Sequence, residues 1–176
     1  TGDESGRGAL HALIARAEEL RADGIVNADA VYWVASAHVV MGETGRALEI
    51  LESVGGHESA RATSLTNLGA CLVAVRRREE GIRCLQQALA RAREHGFRRV
   101  AALALSRLAE AHLEKGDHER VSAFLAESDA LASRADETYN DILFLNTYYR
   151  WVMARAEDNP TREKISFGRL RHLRAL

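Results

Sequence analysis

The chain has 176 residues, of which 47% are hydrophobic and 28% are charged, so it is long enough to bury a core. A formal net charge of −1 provides no overall field that would attract nucleic acid or anionic lipid. No apolar run approaches the roughly 20 residues that cross a bilayer. Alanine, leucine, arginine and glutamate dominate, and proline occurs once, which predicts an all-α protein. We expect it to be cytoplasmic and to bind no membrane.

The first segment, 1–8, is polar and glycine-rich and is predicted to be a flexible end. A helix over 9–22 follows, with Leu10, Leu13 and Leu20 on one face. We expect this lone helix to be the second helix of a repeat whose first helix is missing.

Helix pairs come next. Asn27 or Asp29 caps a helix that ends at Gly42, and Thr44 opens its partner. The clearest break in the chain is the turn at Gly55.

The next two pairs are bounded by glycines. The central pair starts near Ser59, breaks near Arg76 and ends at Gly96. The third pair covers 98–134, with Gly116 between its helices.

The last pair differs in composition, because a long helix over 138–156 carries most of the aromatic residues. Asn159 followed by Pro160 predicts a cap with proline at the first position of a final helix. The total is about eight helices, with no strand signal.

These pairs repeat. Segments starting at 28, 62 and 102 lie 34 and 40 residues apart and place apolar or small residues at positions four, seven and eight, while position eleven holds leucine in the central segment and histidine in the other two. In the central segment these positions hold Leu65, Leu68, Gly69 and Leu72, with Gly81, Leu85 and Ala88 at positions twenty, twenty-four and twenty-seven. A period of 34 in helix–turn–helix units is typical of tetratricopeptide repeats.

The Leu68-Gly69 pair and Ala88 match the motif of that family directly, and the chain resembles it. Gly42 and Gly116 match the family's glycine between the helices, whereas Arg76 replaces it in the central segment, and the family's terminal proline is missing. Repeats longer than the minimum are similar to those in sensor domains of bacterial regulators.

The resemblance implies a right-handed α-solenoid of antiparallel helix pairs. Residues 9–176 would form a single repeat domain, with units near 28–61, 62–101, 102–138 and 139–176, preceded by the lone helix.

In such a solenoid the first helix of each pair lines a concave groove. We expect positions two, five, six, nine, twelve and thirteen to face it; position five holds Tyr32, Thr66, Ser106 and Leu143. The candidate peptide-binding residues are Tyr32, Trp33, Ser36, Asn67, Arg107, Glu110 and Trp151.

The chemistry of these residues suits a peptide. Asn67 offers a donor and an acceptor to a peptide backbone, and Arg107 can hold a carboxylate with two bonds. Tyr32, Trp33 and Trp151 are expected to grip an apolar side chain. Asn67 and Arg107 match only two of five positions of the family's carboxylate clamp, so chaperone binding is not predicted.

We therefore predict a protein-interaction module that binds a peptide or a partner helix. One alternative is a ligand- or peptide-sensing domain of a bacterial transcription regulator. The other is a homo-oligomeric scaffold, in which Tyr148, Tyr149, Trp151 and the last helix contact a second copy.

No pattern indicates catalysis. There is no nucleophile elbow and no nucleophile beside a base, and the segment from Gly42 to Arg46 lacks the Gly-Lys-Ser/Thr ending of a phosphate loop. We expect no enzymatic activity and no cofactor.

The histidines and cysteines have structural interpretations. His38 and His112 both occupy position eleven, where a packing histidine is favoured over a ligand; the alternative is a metal site in which His112 and His118 flank a turn. Cys71 and Cys84 are predicted to be core-lining thiols, with a disulfide as the alternative.

The single basic run, Arg76 to Arg78, precedes Glu79 and Glu80. It is typical of a solvated turn, and we expect no direct contact with nucleic acid.

Overall fold

The computed structural model describes residues 8–9, 11–12, 14–16, 19, 28–53, 58–134 and 136–174. The side chains of residues 28–30, 32, 33 and 52 are not among those described. Residues 1–7, nearly all of the predicted flexible end, and many residues of the predicted helix 9–22 therefore lie outside the described part. Those described between 8 and 19 are helical.

Within these ranges the structure gives bounds for eight helices. They are α1 (Ala28–Val40), α2 (Thr44–Glu52), α3 (Glu58–Ala74), α4 (Arg78–Glu94), α5 (Arg98–Leu113), α6 (His118–Ala132), α7 (Asn140–Ala156) and α8 (Pro160–Leu173). The described residues contain no strand, only an isolated bridge between Ser133 and Thr138. The all-α prediction is confirmed, and helices that follow each other along the chain pack as pairs.

Contacts divide the chain into two compact units, 1–84 and 85–176, and the division falls inside α4. In the first unit, α1 packs on α2, α2 on α3, and α1 on α3. In the second unit, α5 packs on α6, α6 on α7, α7 on α8, and α5 on α7. In each unit, therefore, the first helices of two consecutive pairs are in contact.

Five of these helices end in the same way. After α1, Gly42 has a φ of +85°, its N–H donates to the carbonyl of Val39, and the N–H of Glu43 donates to the carbonyl of His38. These two bonds satisfy carbonyl groups that the helix itself leaves open. The same arrangement, with positive φ, recurs at Arg76, Gly96, Gly116 and Asp158.

In four of these five turns, the residue that completes the turn is also the N-cap of the next helix. Glu43, Phe97, Asp117 and Asn159 are the N-cap residues of α2, α5, α6 and α8. The Asn159 side chain accepts a hydrogen bond from the N–H of Arg162 at 3.0 Å, and Pro160 starts α8. The predicted asparagine–proline helix start is therefore confirmed.

The predicted packing positions are buried. Positions four, seven, eight and eleven of the first three pairs hold Val31, Val34, Ala35, His38, Leu65, Leu68, Gly69, Leu72, Leu105, Leu108, Ala109 and His112, all of them buried. In the segment counted from Tyr139, Ile142, Asn146 and Tyr149 are buried, while Leu145 is half-buried. The helical spacing of small and apolar residues thus identifies the packed face of each first helix.

The backbones of α3 and α4 approach each other closely at Gly81. A Cβ atom built on Gly81 would lie 2.8 Å from the carbonyl oxygen of Gly69 and 2.8 Å from a methyl group of Val73. Because real Cβ atoms essentially never lie so close to other atoms, only glycine fits this position without a shift of the backbone.

Candidate functional site

Arg107 is the predicted site residue with the most defined surroundings. It lies half-buried on α5, and its Nη1 donates to the Glu110 carboxylate at 3.0 Å and to the Tyr149 hydroxyl at 3.1 Å. Tyr149 belongs to α7, so the second bond connects the first helices of two consecutive pairs. Both bonds use the same nitrogen; among the described residues none accepts from Nη2 or Nε.

The electrostatics keep this group charged. Burial opposes the charge of Arg107, but the nearby Tyr149 and Glu110 outweigh it, and the pKa of Arg107 is raised. Burial, reinforced by Glu110, raises the pKa of the Tyr149 phenol far above its ordinary value. At neutral pH Arg107 is therefore a cation and Tyr149 a neutral hydroxyl, and the Nε and Nη2 of the guanidinium have no acceptor among the described residues.

The remaining predicted site residues fall into both units. Ser36 and Asn67 belong to the first unit, and Arg107, Glu110 and Trp151 belong to the second. Ser36 is half-buried, with its hydroxyl 3.0 Å from the sulfur of Cys71. Asn67 is half-buried, and its side chain forms no hydrogen bond with another described residue. The side chains of Tyr32 and Trp33 lie outside the described residues.

Trp151 lines a separate cleft. Together with Pro160, Glu163, Lys164 and Phe167 it forms an open cleft of about 390 Å³ between α7 and α8. The Arg155 guanidinium lies 5.0 Å from the centre of its ring, and the Tyr148 ring lies 6.0 Å away. The structure therefore brings Arg107 and Glu110 together but places Trp151 against α8.

Position five is buried in the three segments where its side chain is described, which corrects the prediction that these residues face a groove. Thr66, Ser106 and Leu143 are 1%, 0% and 5% exposed. Residues three apart share one face of a helix, so position five lies on the packed face with position eight. Tyr32 holds the same position in the first segment, although its side chain is outside the described residues.

Tyr149 also has a different environment from the one expected for a contact between copies. It is 4% exposed and bonded to Arg107, whereas Tyr148 is 43% exposed and Trp151 is half-buried. Of the three residues predicted to contact a second copy, only Tyr148 and Trp151 offer appreciable surface.

The two position-eleven histidines each face an acidic residue at the following turn. His38 Nδ1 lies 2.6 Å from Glu43, and His112 Nδ1 lies 3.5 Å from Asp117. Burial lowers the pKa of His112, although Asp117 opposes this effect. His118 pairs instead with Glu157 at 2.8 Å, so the turn does not direct His112 and His118 toward a common ligand.

The described residues contain no group of three histidine, cysteine or acidic side chains that could hold a metal ion. Cys71 is buried, Cys84 is half-buried, and both are free thiols. Burial raises the pKa of Cys84, which disfavours its reactive thiolate form.

Sequence reasoning missed a buried polar network in the second unit. The Asn146 amide donates to the Ser128 hydroxyl at 2.9 Å and to the Asp129 carboxylate at 2.8 Å. Ser128 donates in turn to the carbonyl of Ala102, and Asp129 pairs with Arg150. The signal was a polar residue at position eight, where the other segments hold glycine or alanine.

It also missed a clasp around Tyr139. The guanidinium groups of Arg98 and Arg99 lie 4.9 and 5.0 Å from the centre of the Tyr139 ring. Arg98 bonds to Asp136 and Glu137, and Arg99 bonds to Asp141. These contacts hold the connection between α6 and α7 against the start of α5.

Comparison with known proteins identifies no relative. No family model matches the chain, and neither the curated proteins nor the solved structures contain a match. Among the helices of the described residues, none has both the length and the apolar character needed to cross a membrane.

Proposed function

We propose that this chain is a non-enzymatic protein-interaction module of the tetratricopeptide type, with its helix pairs stacked as a right-handed solenoid. The repeating register supports this proposal, because positions four, seven, eight and eleven are buried in three successive pairs. The side contacts between α1 and α3 and between α5 and α7 also agree with stacked first helices.

The module binds a peptide or a partner helix on the surface of its first helices. The observation that carries this proposal is Arg107, a half-buried cation held in place by Glu110 and Tyr149 with part of its hydrogen-bonding edge uncommitted. A side chain already fixed in one geometry loses less entropy when it binds a carboxylate than a flexible one does. Its ligand is therefore a peptide carboxylate, from an acidic side chain or a chain terminus.

Asn67 has a parallel role in the first unit. It occupies the same position six as Arg107 and is half-buried, and its side chain makes no hydrogen bond with the rest of the described chain. Its amide can both donate to and accept from a peptide backbone.

A random peptide library displayed with free carboxyl termini tests the proposal. We expect selected peptides to bind the wild-type chain in the micromolar range and to lose about tenfold or more in affinity with Arg107→Ala, as a buried charge-assisted contact would. Asn67→Ala combined with Arg107→Ala is expected to abolish binding, measured by fluorescence anisotropy.

The matched control is Gln86→Ala, which changes an exposed side chain on α4, the second helix of its pair. Circular dichroism of each variant monitors folding. Selected peptides that bind the folded double variant as well as they bind the wild type would refute the assignment.

A further inference from the structure

The last helix differs in charge from the rest of the molecule. The chain has a net charge of −1, yet its segment 160–174 contains several basic side chains and one acidic residue, Glu163. The basic residues are Arg162, Lys164, Arg169, Arg171 and Arg174, all of them exposed. A positive surface thus lies on a protein whose remaining residues carry a negative excess.

Most of these cations form no ion pair within the part of the chain that the structure describes. Arg162 pairs with Glu157 at 3.1 Å. Lys164, Arg169, Arg171 and Arg174 form no ion pair with any carboxylate in the described part of the chain. By contrast, Arg98 and Arg99 in the same unit are both paired with acidic residues. Within the described residues, carboxylates therefore balance only part of the positive charge of α8.

An aromatic cleft adjoins this positive surface. The cleft of about 390 Å³ is lined by Trp151, Pro160 and Phe167, together with one acidic residue, Glu163, and one basic residue, Lys164. Phe167 is 54% exposed, so its ring adds apolar surface to the cleft. The cleft is large enough to receive one large apolar side chain from another molecule.

We infer that the α7–α8 surface is a second docking site, which binds an acidic segment of a partner protein carrying one large apolar side chain. The apolar side chain enters the cleft between Trp151 and Phe167, and carboxylates on either side pair with the cations of α8. Charge complementarity accelerates association and selects acidic partners, while the buried apolar contact supplies most of the affinity.

The geometry favours a protein partner over a lipid surface. Ile165 and Phe167 are both exposed, but residues two apart on a helix point about 200° apart. Ile165 lines a different cleft, with Met153 and Ser122. The helix therefore has no single apolar face that could lie in a membrane interface, and a discrete cleft fits a side chain better than an acyl chain.

The charge also disfavours a second copy packed with its own α8 against this one, because the unpaired cations of the two helices would repel each other.

The test uses a fluorescent, glutamate-rich helical peptide with one central tryptophan. Two counterparts accompany it, one with alanine in place of tryptophan and one with lysine in place of glutamate. Fluorescence anisotropy at low salt measures binding to the whole chain. We expect the acidic tryptophan peptide to bind, and the alanine and lysine counterparts to bind at least about tenfold more weakly.

Variants locate the binding. Phe167→Ala and the double variant Lys164→Glu with Arg171→Glu are each expected to weaken binding about tenfold, and added salt to weaken it further. All three side chains are exposed, so folding is retained. Arg83→Glu, a charge reversal at an exposed position on α4, is the matched control and leaves the affinity unchanged. Binding that is lost in Arg107→Ala but retained in the α8 variants would place the acidic peptide at the Arg107 site instead and would overturn this proposal.

Equal binding of all three peptides would overturn the proposal, as would wild-type affinity in the α8 variants. A third outcome is that the chain binds anionic vesicles or duplex DNA but not the acidic peptide, and loses this binding in the Lys164→Glu, Arg171→Glu variant. The partner would then be a membrane or a nucleic acid, and the proposal of an acidic protein partner would be wrong. A dimer seen by light scattering and lost in Phe167→Ala would show that a second copy covers the cleft.

Discussion

Helices α3 and α7 are both first helices of a pair, and they meet their neighbours in opposite ways. On α3, position eight is Gly69, whose carbonyl lies so near Gly81 of α4 that a side chain there would collide with it. On α7, position eight is Asn146, which is fully buried and donates to Ser128 and Asp129 of α6. The contact between α3 and α4 depends on the lack of a side chain at Gly81, whereas the contact between α7 and α6 depends on the hydrogen bonds of Asn146.

The difference indicates that the register fixes where a first helix is buried but leaves open how the buried position is filled. A small residue can fill the buried position because the two helix backbones then approach each other and leave no cavity. A polar residue is tolerated only where partners satisfy its hydrogen bonds. Each solution has its own characteristic sensitivity to substitution.

The largest effect is expected where atoms are excluded. Gly81→Ala should lower the free energy of unfolding by about 2–3 kcal/mol, because the new methyl group meets a backbone carbonyl that cannot move aside. Urea denaturation followed by circular dichroism measures the change.

Gly45→Ala is the matched control, since a Cβ on this α2 residue would meet nothing within 4 Å. It should leave stability unchanged or raise it by up to about 1 kcal/mol, because alanine favours helix. Equal effects of the two substitutions would mean that α3 and α4 are not closely packed.

A smaller loss is expected in the polar network. Asn146→Ala should cost about 1–2 kcal/mol, because it removes two hydrogen bonds and leaves a space beside Asp129. The oxygen of Asn146 has no partner in the described residues, which limits the loss.

Asn67→Ala is the comparison. The Asn67 side chain is half-buried and forms no hydrogen bond in the described residues, so the substitution should change the free energy of unfolding by less than about 0.5 kcal/mol. If Asn146→Ala had the same melting temperature as the wild type, the hydrogen bonds of Asn146 would not contribute to the stability of the core.

The smallest effect concerns the turns after α3 and α5. Arg76 has a φ of +68°, and Gly116 has a φ of +71° at the equivalent turn. A residue with a Cβ is strained in this left-handed conformation, whereas glycine is not. Arg76→Gly should therefore raise the free energy of unfolding by about 0.5–1 kcal/mol after the entropy of glycine in the unfolded chain is included.

The reverse change, Gly116→Ala, should lower it by about 1 kcal/mol, because no atom lies within 4 Å of the new Cβ and only the conformation is penalised. If Arg76→Gly were destabilising, contacts of the Arg76 side chain would outweigh its backbone conformation.

Local signals were sufficient to predict most helix boundaries. Gly42, Gly96 and Gly116 were expected to follow helices, and each adopts the positive φ that only glycine takes freely. Asn159 and Pro160 together defined the start of α8. These features depend on a few neighbouring residues, so the sequence contains the information directly.

Contacts between helices were less predictable. Arg107 was expected to face a ligand, but its bond to Tyr149 depends on the rotation of α7 about its axis. Trp151 was assigned to the same groove, whereas it lines the cleft with α8. A small rotation of a helix about its axis changes which of two adjacent faces is covered. The spacing of apolar residues does not determine this rotation closely enough to choose between the two faces.

The shared turn residues have a consequence for how the molecule can move. At Glu43, Phe97, Asp117 and Asn159, the residue that ends the closing motif of one helix is the cap of the next. Such a corner has no spare residue whose dihedral angles could act as a hinge. A change in the angle between the two helices would require breaking the closing hydrogen bonds, so the angle at each of these turns is fixed. Conformational change must therefore come from packed helices sliding along each other.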